Sequence, residues 1–136
     1  MIREIIKDPI FLAVPSTEAT AEDLEIVKDL VETLTANREI CVGMAANMIG
    51  ESKRIIAVNV SGFVLPMLNP RITKKSGPYQ AEEGCLSLEG KRSCTRYREI
   101  EVEYQDRQFK WHKSEFKDWT AQIIQHECDH LEGILI

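Results

Sequence analysis

Apolar positions first follow a helical rhythm. Within residues 21–34, Leu24, Val27, Leu30, Val31 and Leu34 recur three and four residues apart and so share one face. Thr20 is in place to cap that helix, with Asp23 in the capping-box position where Glu or Gln is more usual. The pattern then turns to strand. Residues 54–60 read RIIAVNV, a short β-branched run, and 63–69 and 71–75 look like further strands interrupted at Pro70. Ile100, Val102 and Tyr104 alternate with Glu101 and Glu103, as a half-buried strand would. After a turn at Gln105-Asp106-Arg107 comes a second alternating stretch with Phe109 and Trp111. Residues 118–132 return to helical spacing, with Asp118 as N-cap and Gly133 just past the end. Helix, strands, helix, with no repeat or linker, predicts one α+β domain over residues 1–136 with mostly antiparallel pairing.

Composition narrows the function classes. The 136 residues carry 17 Lys plus Arg against 22 Asp plus Glu, a net charge of −5 that argues against direct nucleic-acid binding. No apolar run approaches the ~20 residues of a membrane span. The opening MIREIIKDPIF has an acid by its fourth residue and no apolar core of a secretion signal, so a cytoplasmic protein with no membrane partner is expected. In that reducing compartment Cys41, Cys85, Cys94 and Cys128 are better read singly than as disulfides.

The chemistry sits in the last helix. His126-Glu127-Cys128-Asp129-His130 is an H-E-x-x-H sequence, whose histidines at i and i+4 project from one face and can share a metal ion. Glu127 between them can take a proton from a water held there. The bland alternative is a chance match on an amphipathic helix. A hydrolytic site needs a third protein ligand, and so little follows His130 that this ligand must come from upstream. His112 and the cysteines are the non-carboxylate candidates. Cys85 stands out because Gly84 beside it permits close backbone approach, although a lone cysteine more often simply packs.

These residues carry a resemblance to the peptide deformylases. That family's second motif, EGCLS, stands unchanged at Glu83-Gly84-Cys85-Leu86-Ser87, and its third, H-E-x-D-H, at positions 126–130 after Gln125. Its first motif, G-φ-G-φ-A-A-x-Q, corresponds to Cys41-Val42-Gly43-Met44-Ala45-Ala46-Asn47-Met48. The resemblance spans essentially the whole chain. It implies antiparallel strands packed around a central C-terminal helix that carries the metal motif. It further implies ligation by Cys85, His126 and His130 of one divalent ion, iron(II) with zinc, nickel or cobalt as substitutes. A two-nitrogen, one-sulfur donor set suits such ions and leaves a position for water. Glu127 would be the general acid and base, with the Leu86 N–H as an oxyanion donor. The implied reaction removes the formyl group from N-formyl-methionyl nascent peptides and releases formate. Gly43, Met44 and Ala45 would line the substrate groove, and Arg92 would hold the peptide backbone, although an arginine in so polar a stretch is more often solvated.

Two departures qualify the resemblance. Met48 stands where the family has Gln, an oxyanion donor, and a thioether cannot donate. If the segment is extended, Asn47 faces away from the site and Met48 either packs or alters acyl choice. Amide hydrolysis of another N-acyl peptide, or metal or peptide binding without turnover, are the rival readings. The sequence also ends six residues after His130, where many family members continue into a helix that aids ribosome docking, which weakens the inference of that partner. Cys41 and Cys128 are read as core, and His112 as a surface residue.

Overall fold

The computed structural model describes residues 1–135. A short helix α1 (Pro9–Leu12) and a 3-10 turn (Ala21–Asp23) lead into helix α2 (Leu24–Ala36). Strand β1 (Gly43–Ala45) runs into a 3-10 turn (Ala46–Ile49), followed by β2 (Ile55–Val60), β3 (Phe63–Cys85), β4 (Leu88–Gln105), β5 (Trp111–Lys117) and helix α3 (Asp118–Leu131). The strands form one sheet in chain order, antiparallel throughout.

The sheet lies between the two long helices. Alternation along β2 sends Ile55 and Ala57 to a core shared with Val27, Leu30 and Leu34 of α2. Ile56 and Val58 join Ala121, Ile123, Ile124 and Leu131 of α3 in a second core. A strand covered on both faces reads as an unbroken apolar run, which is why residues 54–60 show no alternation. Helix α3 packs against all five strands.

The predicted capping box is present: Asp23 Oδ2 accepts from the Thr20 N–H at 2.8 Å, and Thr20 Oγ1 accepts from the Glu22 N–H at 3.4 Å. Leu24 departs from the predicted apolar face and is 42% exposed, because it sits at the open mouth of the first turn. Pro70 does not end a strand. β3 continues through it with a register shift between Leu68 and Arg71, and Asn69 takes φ +50°. A bulge is where a residue without an N–H is tolerated inside a sheet. Asp118 is not the cap of α3. Lys117 holds that position without a side-chain bond, while Asp118 has φ +52°. Gly133 does end the helix, at φ +77°. Its N–H reaches His130 O at 3.1 Å and the Ile134 N–H reaches Asp129 O at 3.0 Å, the paired bonds of a Schellman motif.

Candidate active site

Three chain segments meet at the open edge of the sheet, about two turns into α3. Among the described residues, strand β1 pairs only with β2. The end of β3 brings Glu82, Glu83 and Cys85, and the tight turn to β4 brings Leu86. Helix α3 supplies His126, Glu127 and His130, all buried. Between them lies a pocket of about 280 Å³ reached by Gly43, Met48, Cys85, Leu86, His126 and Glu127.

The helix repeat brings the two imidazoles together, with His126 Nε2 3.1 Å from His130 Nε2. A donor atom of Cys85 joins them, all three lying within 4.8 Å of one another. Nitrogens bound tetrahedrally at about 2.0–2.1 Å from a zinc-like ion stand about 3.3 Å apart, so these residues fit such an ion. The two rings differ in charge. Burial opposes charge on His126, yet its contacts with Cys85 and Glu83 outweigh that and hold its pKa up at about 10. Burial and the neighbouring His126 push His130 down to about 3, which keeps it in the neutral form a metal requires. The pocket thus favours positive charge on the His126 ring, a proton that a metal at Nε2 would displace, while His130 is already neutral.

Glu83 fixes the first ring. Its Oε1 accepts from His126 Nδ1 at 2.7 Å, so Nδ1 keeps its proton and Nε2 is the nitrogen aimed into the site. Arg96, itself buried, grips both Glu83 oxygens at 2.7–3.1 Å and Asp129 Oδ2 at 2.6 Å. Burial works against the Glu83 anion, but His126 and Arg96 prevail and hold its pKa at about 2. Glu127 has the opposite surroundings. Burial drives its carboxyl up to about 7, and Oε1 has no hydrogen-bond partner among the described residues. A carboxylate with an idle oxygen and a pKa near neutrality suits proton transfer.

The remaining predicted residues separate. Gly43 and Met48 line the pocket, but the side chains of Met44 and Ala45 are fully buried in opposite cores and offer a ligand only their backbone. Met48 lies in the 3-10 turn, not in extended chain, and its Sδ takes the Ala45 N–H at 3.5 Å. Asn47 does face away, donating to His130 O at 3.0 Å. Arg92 bonds Glu89 O at 3.2 Å outside the pocket, while Lys91 reaches the rim instead. Among the described residues, no turn hydrogen bond takes up the Leu86 N–H. Cys41 is half-buried at the pocket wall, with its thiol pushed up to about 11 by burial, and Cys128 packs against the α3 core. His112 is bound to Asp106 at 2.7 Å and stacked on Tyr104. All four cysteines are unpaired. Trp119, Gln122 and Ile123 also line the pocket and were not singled out from sequence. Their spacing to His126, at intervals of three, four and seven, is the helix-face signal that marks them.

Comparison with known proteins decides the family. The polypeptide deformylase family model matches residues 4–136. The chain belongs to the polypeptide deformylase family. A peptide deformylase from Clostridium beijerinckii is 54% identical over 136 residues, covering all of both chains. One from Thermoanaerobacter pseudethanolicus is 36% identical over 124 residues, 90% of this chain and 77% of that one. Among solved structures, a class I type b peptide deformylase from Acinetobacter baumannii with Met-Ala-Ser bound superposes at TM-score 0.89 and 27% identity, covering 99% of this chain and 97% of that one. The deformylase from Thermotoga maritima superposes at 0.88 and 29%, over 99% and 95%. The antiparallel sheet with its C-terminal helix is therefore the deformylase fold.

Proposed function

We propose that this protein is a metal-dependent hydrolase that removes the formyl group from N-formyl-methionyl peptides of nascent proteins in the cytoplasm. The observation that carries this reading is the convergence of Cys85, His126 and His130 beside a buried Glu127 with an unpartnered oxygen. Cys85, His126 and His130 would hold one divalent ion, iron(II) in the first instance, with zinc, nickel and cobalt as substitutes for a mixed nitrogen and sulfur set. When bound, such an ion acidifies water and polarises a carbonyl.

The chain's own groups do the rest. A formyl peptide laid along the free edge of β1 would meet the backbone of Val42, Gly43 and Met44 and bring its carbonyl towards the Leu86 N–H, which would donate a hydrogen bond to the developing oxyanion. Glu127 takes the proton of the attacking water and returns it to the amine nitrogen as the C–N bond breaks, leaving formate and a free amino terminus. Met48 contributes no donor, so Leu86 is the oxyanion donor that this chain itself supplies. The Met-Ala-Ser held by the Acinetobacter relative is the peptide such a reaction would release from a formylated precursor.

A comparison of formyl-Met-Ala-Ser with acetyl-Met-Ala-Ser tests the acyl group. Formate should appear at a rate at least tenfold above acetate, because the extra methyl has to fit beside Gly43 and Met48 in a pocket of about 280 Å³. Equal rates, or faster acetate release, would assign the protein to another acyl substrate.

A further inference from the structure

A chain of hydrogen bonds runs from the sheet surface to the metal-facing histidine. The Tyr79 hydroxyl, on β3, donates to Gln122 Oε1 at 3.0 Å. Gln122 Nε2 donates to Glu83 Oε2 at 2.8 Å, and Glu83 Oε1 accepts from His126 Nδ1 at 2.7 Å. Each link has one workable direction. The Glu83 carboxylate only accepts, so it needs the amide N–H. The amide oxygen then faces Tyr79, whose hydroxyl donates to it. A reversed Gln122 would set its carbonyl against the carboxylate. Tyr79 is in turn held by the Arg98 guanidinium, 4.8 Å over its ring.

Arg96 does not make Gln122 redundant. It bonds Oε1 through Nε and Nη2 but reaches Oε2 only through Nε, at 3.0 Å. Gln122 is the other donor to Oε2 and so fixes the rotation of the carboxylate plane. If that plane turns, Oε1 swings away from His126 Nδ1 and the ring loses the partner that sets its tautomer and aim. We propose that Gln122 and Tyr79 are positioning residues for the metal ligand His126, acting through Glu83. The inference rests on His126 being a ligand, as argued above. It adds two residues that lie outside all three sequence motifs.

The test measures metal binding by the full chain. Partners that orient a metal-bound histidine typically change affinity ~10–100-fold when removed, and Gln122 acts one bond further out. Gln122→Leu should weaken zinc binding about tenfold in competition with a chelator, and Tyr79→Phe about threefold. The double variant should bind no more weakly than Gln122→Leu, because Tyr79 works only through Gln122. The visible spectrum of the cobalt-loaded protein should shift in Gln122→Leu, a change that loss of packing alone would not produce. Tyr79→Phe keeps the ring under Arg98 and serves as the second readout if Gln122→Leu fails to fold. Zinc affinities within twofold of the parent in both variants, or a Tyr79→Phe effect undiminished beside Gln122→Leu, would overturn the relay. A parent protein that binds neither zinc nor cobalt would instead overturn the metal-centre reading beneath it.

Discussion

Gly43 offers the sharpest test of how fold and site depend on each other. A Cβ on Gly43 would lie 2.6 Å from Ile123 Cγ2, 2.9 Å from Glu127 Oε2 and 3.1 Å from Glu127 Cγ. Carbon atoms in contact settle about 3.5–4.0 Å apart, so the Ile123 methyl would have to retreat about 1 Å. The Glu127 carboxylate is the end of a flexible side chain and can swing, but Ile123 cannot, being 4% exposed and branched at its own Cβ. Nor can β1 withdraw, since Gly43 pairs with Val58 and the Asn59 N–H holds Val42 O at 2.8 Å. Gly43→Ala therefore overpacks the β1–α3 contact, at a cost of about 1–3 kcal/mol. For a domain of this size that corresponds to a Tm lower by about 3–10 °C. The same methyl pushes Glu127 off its position, and a displacement of about 1 Å in a reacting group can cost ~10²-fold in kcat. Metal content should be unchanged, because the three atoms nearest the new methyl belong to Ile123 and Glu127 and none to a ligand. Thermal unfolding, formate release and metal analysis on parent and variant read the three effects separately. A Gly43→Ala protein with parental Tm and parental kcat would refute the claim that this glycine exists to let α3 approach β1.

Two further outcomes follow from individual contacts. Met48→Gln places an amide donor at the pocket wall, and since one oxyanion donor is worth ~10²–10³ in rate, kcat for formyl-Met-Ala-Ser should rise at least tenfold; an unchanged kcat would show that position 48 does not face the carbonyl oxygen. Asp29 is 3% exposed, bonded to the Met1 ammonium at 2.6 Å and to Arg3 at 2.7 Å, and those two cations hold its carboxyl below the ordinary range. A depressed folded pKa adds stability above the unfolded value near 3.9 and loses it as pH falls through the folded value. Denaturation at pH 7, 5 and 3 should therefore show Asp29→Asn weaker than the parent at pH 7 and the gap closing at pH 3. A gap independent of pH would contradict that assignment.

Much of this was legible because it is local. Two histidines at i and i+4 share a helix face whatever surrounds them, and the alternation from Ile100 to Tyr104 is a property of the strand itself. The parts that were not legible depend on partners distant in the chain. Glu83 reads as one letter of a motif until β3 brings it to His126, 43 residues away. Met44 and Ala45 follow a glycine that lines the pocket, yet the pleat turns their side chains into opposite cores. Arg92 sits seven residues after Cys85, but the register at Gly84 and Lys91 gives the rim to its neighbour. Pro70 looked like a strand end because a bulge that absorbs a missing N–H has no clear signature in one sequence.

In the proposed reaction Glu127, beside a metal held by Cys85, His126 and His130, moves the proton in formyl hydrolysis. Formate release from formyl-Met-Ala-Ser by parent and Glu127→Gln, purified without oxygen and loaded in parallel with iron(II), nickel(II) or zinc(II), tests it most directly. Metal-dependent formate is expected from the parent, and a loss of at least ~10²-fold from Glu127→Gln at unchanged metal content. Equal turnover by the two proteins, or a fully loaded parent that releases no formate, would contradict it.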